Sequence, residues 1–105
     1  MTERPAPAVF EHSVTLRQLV FLRAVIEAGG FTAAARRLLA TQPTVSYEIA
    51  RLEQLTGVTL IDRRGGRVRP TAEGRLLYES AVRALSTIEE AGDALLELRG
   101  VQRGR

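Results

Sequence analysis

Side chains that form sequence-dependent hydrogen bonds are concentrated between positions 41 and 51 of the chain. Glutamine, serine, threonine and arginine are the groups that proteins use to read the edges of DNA bases, and proline and tyrosine add apolar surface for thymine methyl groups. The same side chains also cover ordinary solvated helices, so their placement must decide between the two interpretations. The candidate set comprises Thr41, Gln42, Pro43, Thr44, Ser46, Tyr47 and Arg51.

A second cluster of candidate functional residues consists of basic side chains. Arg63, Arg64, Arg67 and Arg69 fall within seven positions that contain no acidic residue. The net charge of the whole chain is only +3, so the distribution of charge is more informative than its total. An arginine-rich loop is usually just solvated, but beside a base-reading helix it would contact phosphates or a minor groove.

Two helices are predicted ahead of these residues. From Leu16 onward, apolar residues recur at helical spacing, and the glycine pair Gly29 and Gly30 ends this first helix. Thr32 is the predicted N-cap of a short second helix over residues 33–39. Its alanines are small enough to let a third helix cross closely.

The third helix is expected to present the candidate set. Thr41 is its predicted N-cap, and Pro43 lies in its first turn, where a missing N–H has no cost. The helix runs to about Thr56 and ends at Gly57. Its outer face therefore carries short polar groups on the first turns, where a recognition helix meets DNA.

A two-stranded wing is predicted after the third helix. The β-branched run at positions 58–61 predicts one strand, Gly65 and Gly66 permit a hairpin turn, and Val68 begins the return strand. Thr71 then caps the last helix. The predicted fold class is mainly α: a winged helix-turn-helix with three helices and a two-stranded wing, followed by a long dimerisation linker helix.

The last helix is predicted to run from residue 72 to about Arg99 and carries a heptad seam. Such a seam packs either on the helix's own domain or on a second helix. Its small residues suit close contact between helices, so dimerisation is the preferred hypothesis. A two-fold dimer would present two recognition helices to successive major-groove faces. The seam comprises Leu77, Ala81, Ala84, Ile88, Ala91, Leu95 and Leu98.

Other classes of function lack support. The chain has no cysteine, His12 is its single histidine, and Ser46 has no histidine partner, so no catalytic site, metal site or cofactor is predicted. No segment has the apolar run of a signal peptide or a membrane span. We therefore expect a cytoplasmic, nucleoid-associated protein that is not an enzyme and does not bind membranes.

The chain is short enough for one domain with an extension. We predict a flexible N-terminal arm at 1–13, a winged helix-turn-helix DNA-binding domain at 14–70, a linker helix for dimerisation at 71–99 and a flexible tail at 100–105.

Several motifs closely resemble the N-terminal part of LysR-type transcriptional regulators. The resemblance spans about residues 14–99, and the Gln-Pro-x-Val-Ser run after paired alanines is specific. It implies a dimeric, sequence-specific transcriptional regulator whose linker helix pairs antiparallel with its partner on double-stranded DNA, at an interrupted palindromic operator. The motifs are Leu16-Arg17-Gln18-Leu19, Gly29-Gly30-Phe31-Thr32-Ala33-Ala34-Ala35, Thr41-Gln42-Pro43-Thr44-Val45-Ser46, Leu52-Glu53, Gly57-Val58, Asp62-Arg63 and Thr71-Ala72-Glu73-Gly74.

The same resemblance implies the DNA contacts. Tyr47 and Glu48 occupy variable positions that are expected to set the operator preference. Gly30 stands where serine is common, and Ile61 replaces the usual aromatic residue. Such regulators continue into an effector-binding domain, so this chain is expected to be a fragment or a short regulator without a sensor. The implied DNA contacts are Thr32, Gln42, Pro43, Thr44, Ser46, Tyr47, Arg51, Arg63 and the wing arginines Arg64, Arg67 and Arg69.

Three alternatives remain open from the sequence. The related winged domain of molybdate-responsive regulators is the nearest, although the linker seam favours the LysR type. An interaction protein would form heterodimers with full-length relatives through the linker helix and disable them. An architectural protein would bind random DNA as tightly as any chosen sequence. Assemblies larger than a homodimer are also compatible with the pattern.

Overall fold

The computed structural model describes residues 13–100, so the predictions for the arm, the tail beyond residue 100 and His12 lie outside the described residues. The helices and strands confirm the predicted fold class. The two strands pair antiparallel, with Ile61 opposite Pro70 and Asp62 opposite Arg69. In chain order the elements are α1 (Leu16–Ala28), α2 (Phe31–Leu38), α3 (Gln42–Thr56), β1 (Ile61–Asp62), β2 (Arg69–Pro70) and α4 (Ala72–Leu98).

The core lies where α1 packs against α2, α3 and α4. Ala34 and Ala35 of α2 are fully or almost fully buried, which lets α1 and α3 approach it closely; the sequence predicted this for α3. Leucine, valine and isoleucine provide most of the buried volume, since the chain has few aromatic residues. The largest fully buried side chains are Leu22, Val25, Val45, Ile49, Leu52 and Leu60.

The predicted start of the second helix is wrong. The helix begins at Phe31 rather than after Thr32, and Gly30 is its N-cap without a side-chain hydrogen bond. The backbone N–H of Ala34 already donates to the carbonyl of Gly30 at 3.1 Å, so Thr32 lies inside the first turn. Thr32 is exposed there and remains available for an external contact.

The predicted boundaries of α3 are confirmed. The Thr41 hydroxyl accepts a hydrogen bond from the backbone N–H of Thr44 at 3.4 Å, proline lies in the first turn, and Gly57 is the C-cap. The hydroxyl oxygens of Thr41 and Thr44 are also 2.9 Å apart and share a hydrogen bond. These local contacts fix where the helix begins.

The first predicted strand is displaced. Instead of positions 58–61, only Ile61 and Asp62 form β1, and β2 follows Val68 rather than including it. The backbone N–H groups of Leu60 and Ile61 donate to the Glu53 carboxylate at 2.8 and 3.1 Å. A side chain from α3 therefore satisfies donors that the sequence pattern assigned to a strand.

The wing is joined tightly to α4. The Thr71 hydroxyl donates to the carbonyl of Thr59 at 2.6 Å and accepts from the N–H of Gly74 at 2.9 Å, which confirms Thr71 as the cap. Gly74 is buried against the backbone of Leu60, and a Cβ placed on it would overlap the Leu60 carbonyl oxygen. Glycine is therefore required at this crossing.

A second contact anchors α4 to the domain. The Tyr78 hydroxyl donates to Glu27 at the end of α1 at 2.7 Å, and this bond raises the pKa of Tyr78. Glu27 also lies 3.7 Å from Arg37 of α2, so one carboxylate connects three helices.

The heptad seam of α4 divides into two parts. Leu77 packs against the core, Ala81 is fully buried and Ala84 is half-buried, so this part of the seam faces the helix's own domain. Leu85, which the seam omitted, is also buried. The remaining seam residues are exposed: Ile88, Ala91, Leu95 and Leu98.

Candidate nucleic-acid interface

The first turns of α3 present an organised set of polar groups. Thr41, Gln42 and Pro43 are exposed, and the Gln42 amide nitrogen donates to the Ser46 hydroxyl at 2.7 Å. Gln42 and Ser46 lie one turn apart on the same helix face. This bond orients the amide, so its oxygen and one remaining N–H can face an incoming partner.

Further along the same helix, Tyr47 and Arg51 point outward. The Tyr47 side chain is 65% exposed, and Arg51 donates to Gln54 at 3.3 Å while remaining exposed. Both residues are thus placed where the sequence predicted them, on the outer face. The positive end of the α3 dipole lies at the same N-terminal turns and favours an anion there.

Glu48 has a different position from its neighbour Tyr47. Its carboxylate accepts a hydrogen bond from Arg17 of α1 at 3.2 Å and one from the largely buried Gln18 at 3.5 Å. Gln18 in turn forms a capping box with Thr15 at the start of α1. Glu48 therefore joins α1 to α3, and Tyr47 alone of this pair extends freely from the helix.

At the base of the wing, Arg63 is fixed by an aromatic contact. Its guanidinium carbon lies 4.5 Å from the centre of the Phe31 ring, a cation–π geometry. Phe31 is the first residue of α2, so the contact brings the wing close to the exposed Thr32. The sequence predicted Thr32 and Arg63 as DNA contacts without predicting that the wing meets the first residue of α2.

Arg64 is held within the wing itself. Its guanidinium donates to both oxygens of Asp62 at 2.9–3.2 Å, and its backbone N–H donates to the same carboxylate at 3.0 Å. The side-chain hydrogen bond lowers the pKa of Asp62 to about 2 and raises the pKa of Arg64. The run of arginines contains no acid, but the residue immediately before it offsets one of the four charges.

Arg67 lies beyond the turn of the wing. It is exposed, and none of its side-chain neighbours within residues 13–100 forms a hydrogen bond or an ion pair with it. Gly65 and Gly66 both have φ of +72°, which ordinary side chains disfavour, and this confirms the predicted glycine turn. Arg67 and the likewise exposed Arg69 are therefore the wing arginines that no described side chain holds.

Two residues near the site were missed from the sequence. Glu53, described above, supports the start of the wing from α3. Leu39 ends α2 with φ of 54°, the single non-glycine residue with positive φ among residues 13–100, and its side chain is 95% exposed. The predicted second helix included Leu39, so the available signal was the very short connection to the cap at Thr41, which needs one residue in the left-handed region.

Within residues 13–100 no helix is long and apolar enough to cross a membrane. Across the same range, no three histidine, cysteine, aspartate or glutamate side chains gather into a metal-binding group.

Comparison with known proteins identifies the arrangement. The family model described as "Bacterial regulatory helix-turn-helix protein, lysR family" matches residues 16–75. The chain belongs to the lysR family. Its winged helix-turn-helix is the fold of that family's DNA-binding domains.

Individual lysR-family relatives agree with this assignment. The chain is 41% identical over 90 residues to the transcriptional activator protein LysR of Escherichia coli strain K12, covering 83% of this chain and 29% of that one. It is 32% identical to the BenM DNA-binding domain solved with catB site 1 DNA, with a TM-score of 0.80 over 84% of this chain and 99% of that one. It is 35% identical to the CbnR DNA-binding domain solved with DNA, with a TM-score of 0.75 over 81% of this chain and 98% of that one.

The chain thus spans less than a third of the E. coli LysR regulator but matches nearly all of two isolated lysR-family DNA-binding domains. Its relatives are transcriptional regulators by name, and the resemblance inferred from the sequence motifs is confirmed.

Proposed function

We propose that the chain is a sequence-specific DNA-binding module of a transcriptional regulator and binds double-stranded DNA as a dimer, at an interrupted palindromic operator. The observation that carries the proposal is the exposed N-terminal face of α3, where Gln42 and Ser46 form an oriented hydrogen-bonding pair. The BenM and CbnR domains, which share this fold, were solved with DNA. Such a module would act in the cytoplasm, on the nucleoid.

The proposed contacts fall into two groups with different roles in DNA recognition. Base edges are read by the polar groups of α3: Gln42, Pro43, Thr44, Ser46 and Tyr47. Phosphates are held by residues around them, which position the helix without reading sequence. This second group comprises Thr32, Arg51, Arg63, Arg67 and Arg69, with a smaller role for Arg64, whose guanidinium is held by Asp62.

Thr41 has a structural part in this scheme. Its hydroxyl caps α3 and is already bonded to Thr44, so it holds the reading turn in place more than it contacts DNA. Removing an N-cap of this kind costs about 1 kcal/mol. The proposed function needs this turn to be rigid because base reading depends on fixed donor and acceptor positions.

Dimerisation is proposed through the part of α4 that its own domain leaves exposed. Ile88, Leu95 and Leu98 are large apolar side chains in contact with solvent, which favours a partner surface. A homodimer is the simplest partner, and full-length relatives with a similar α4 are the alternative.

Selection of bound sequences from a random DNA library tests the function, alongside the mass of the free protein by sedimentation. We expect a two-part consensus with dyad symmetry and a dimeric mass. Equal recovery of all sequences would replace the proposal with architectural binding. A protein that forms heterodimers with full-length relatives and abolishes their operator binding would instead be an inhibitor.

The geometry of the wing predicts that Arg67 and Arg64 contribute differently to the salt dependence of DNA binding. Arg67→Ala should weaken binding to operator and random DNA alike and reduce the slope of log affinity against log salt by about 0.9, the value for one lost phosphate contact. Arg64→Ala should change the slope less, because Asp62 already occupies its guanidinium. Fluorescence anisotropy across a salt series measures both. Equal slopes for the two variants would mean that Arg64 leaves Asp62 on DNA, and an unchanged slope for both Arg67→Ala and Arg63→Ala would reject the wing assignment.

A further inference from the structure

An open hollow lies between α1 and the turn that joins α2 to α3, with a volume of about 540 Å³. One wall comes from α1, and the other comes from the end of α2 and the first residues of α3. Thr44 in the second wall belongs to the proposed base-reading group, so the hollow continues that surface toward α1. The proposed contacts include no residue of α1. The lining of the hollow includes Arg17, Phe21, Leu38, Leu39, Thr41 and Thr44.

Arg17 is held in a fixed position at this hollow. Its Nε donates to the Glu48 carboxylate at 3.2 Å, and its guanidinium carbon lies 4.8 Å from the centre of the Phe21 ring. The Arg17 side chain is nevertheless 61% exposed, and within residues 13–100 its two terminal nitrogens form no hydrogen bond. Arg64 differs, because Asp62 binds both its Nε and one terminal nitrogen. Arg17 therefore keeps its outer edge available for an anion such as a phosphate.

The pairing of Arg17 with Phe21 is the second arginine–aromatic contact near the proposed DNA surface. The first, between Arg63 and Phe31, lies at the first residue of α2, whereas the hollow beside Arg17 reaches the last residue, Leu38. The ends of this eight-residue helix are about 10 Å apart. Two oriented cations thus mark the two ends of α2, and each would lose little side-chain freedom on binding a phosphate.

Leu39 gives independent support for a ligand in the hollow. Its φ of 54° is disfavoured for a leucine, and its side chain is 95% exposed, so neither its backbone nor its packing stabilises the fold. Backbone strain of this kind is concentrated at functional sites. An apolar side chain in the same hollow as a phosphate-binding arginine would pack against the deoxyribose next to that phosphate.

We propose that the hollow between α1 and the start of α3 binds one segment of the DNA backbone, with Arg17 on a phosphate and Leu39 on the adjoining deoxyribose. Glu48 and Phe21 are positioning residues that orient Arg17. The inference rests on the proposed function and deepens it, because it adds a backbone contact beyond the wing and the outer face of α3.

Arg17→Gln tests the phosphate contact, with a random-sequence duplex as the probe because backbone contacts carry no sequence information. We expect affinity to fall about tenfold at low salt, the effect of losing a charge-assisted hydrogen bond. The slope of log affinity against log salt should fall by about 0.9 for each bound copy. Fluorescence anisotropy across a salt series measures both. Arg83→Gln is the matched control, since it removes the same charge from an exposed position on α4 and should leave the slope unchanged.

A second change controls for the carboxylate that Arg17→Gln leaves unpaired. Adding Glu48→Gln to the Arg17→Gln variant removes that charge, and the weaker binding should persist. Recovery of affinity in the double variant would trace the loss to repulsion by Glu48 and overturn the phosphate contact.

Leu39→Gly separates contact with DNA from stability of the fold. Glycine adopts the left-handed conformation without strain, so the melting temperature should rise by about 4 °C or more. Affinity for the same duplex should fall about threefold, because the apolar contact with the sugar is lost. A change of fold stability alone would move both quantities in the same direction.

The remaining outcomes each have a defined meaning. An Arg17→Gln variant with the affinity and slope of Arg83→Gln would overturn the inference. Weaker binding with an unchanged slope would also overturn it, because Arg17 would then only support the packing of α1 on α3. A Leu39→Gly variant that binds as tightly as the unmodified chain would reject the deoxyribose contact. Failure of the unmodified chain to bind any duplex would instead reject the proposed function.

Discussion

Replacing Gly74 with alanine is expected to lower the melting temperature by about 10 °C or more. The new methyl group would meet the Leu60 carbonyl oxygen, which is backbone and cannot rotate away. Overpacking of this kind costs about 1–3 kcal/mol or more, and each kcal/mol lowers the melting temperature of a domain of this size by about 4–8 °C. Helix propensity alone would predict the opposite sign, since alanine is favoured over glycine by about 1 kcal/mol.

Gly92→Ala is the matched control on the same helix. A Cβ at Gly92 would have no atom within 4 Å, so only the gain in helix propensity remains, and stability should rise slightly. Thermal unfolding followed by circular dichroism compares the two variants with the unmodified chain. If Gly74→Ala melted at the same temperature as Gly92→Ala, the close crossing of α4 over Leu60 would be disproved.

Gln42→Ala is expected to lower affinity for the selected operator by about 10- to 100-fold, because a well-placed glutamine–base pair contributes about 1–3 kcal/mol of discrimination. Affinity for random DNA should change little, since that binding depends on phosphates. Ser46→Ala should reproduce part of the loss, because it removes the hydroxyl that accepts from the Gln42 amide at 2.7 Å.

Gln54→Ala provides a control with the same chemical change near the other end of α3, where the side chain contacts only Arg51 among the described hydrogen bonds. Its effect on operator affinity should stay below about threefold, in the range of a lost exposed contact. Titrations of operator and random duplexes at one salt concentration give the specificity ratio. A Gln42→Ala variant that lost affinity equally on both duplexes would assign Gln42 to the phosphates instead of the bases.

Local signals in the sequence predicted the reading helix well. The cap at Thr41, the proline in the first turn and the stop at Gly57 depend only on neighbouring residues, and all three are confirmed. The predicted start of α2 was wrong because it also relied on a local signal. Thr32 is a good capping residue, but the helix begins earlier, at Phe31, whose ring is held against the core and by Arg63 of the distant wing.

The strand lengths of the wing and the burial of α4 depend on contacts between residues that are distant in the chain, and a sequence pattern does not reveal such contacts. Glu53 takes the N–H groups that were assigned to the first strand, so that strand shortens. Asp62 stands one position outside the basic run and offsets Arg64 within it. For α4, the heptad spacing was correct as a pattern of apolar residues, but spacing alone does not distinguish a helix's own domain from a partner.

The DNA-contact residues remain predictions of a different kind. The structure brings Arg63 beside the first turn of α2 and leaves Tyr47 exposed on α3, and neither position requires a base or phosphate to explain it. Their assignment therefore depends on the binding experiments above.

The tight join between the wing and α4 has a mechanical consequence. Thr71 is the single residue between β2 and α4, and both its backbone and its hydroxyl are bonded to the segment that leads into β1. These bonds leave the junction little freedom to bend, so the wing should move together with α4, a helix about 40 Å long. A small rotation near Leu98 would then displace Arg67, and in the proposed dimer the spacing of the two α4 helices would set the distance between the two wing turns that are proposed to contact DNA.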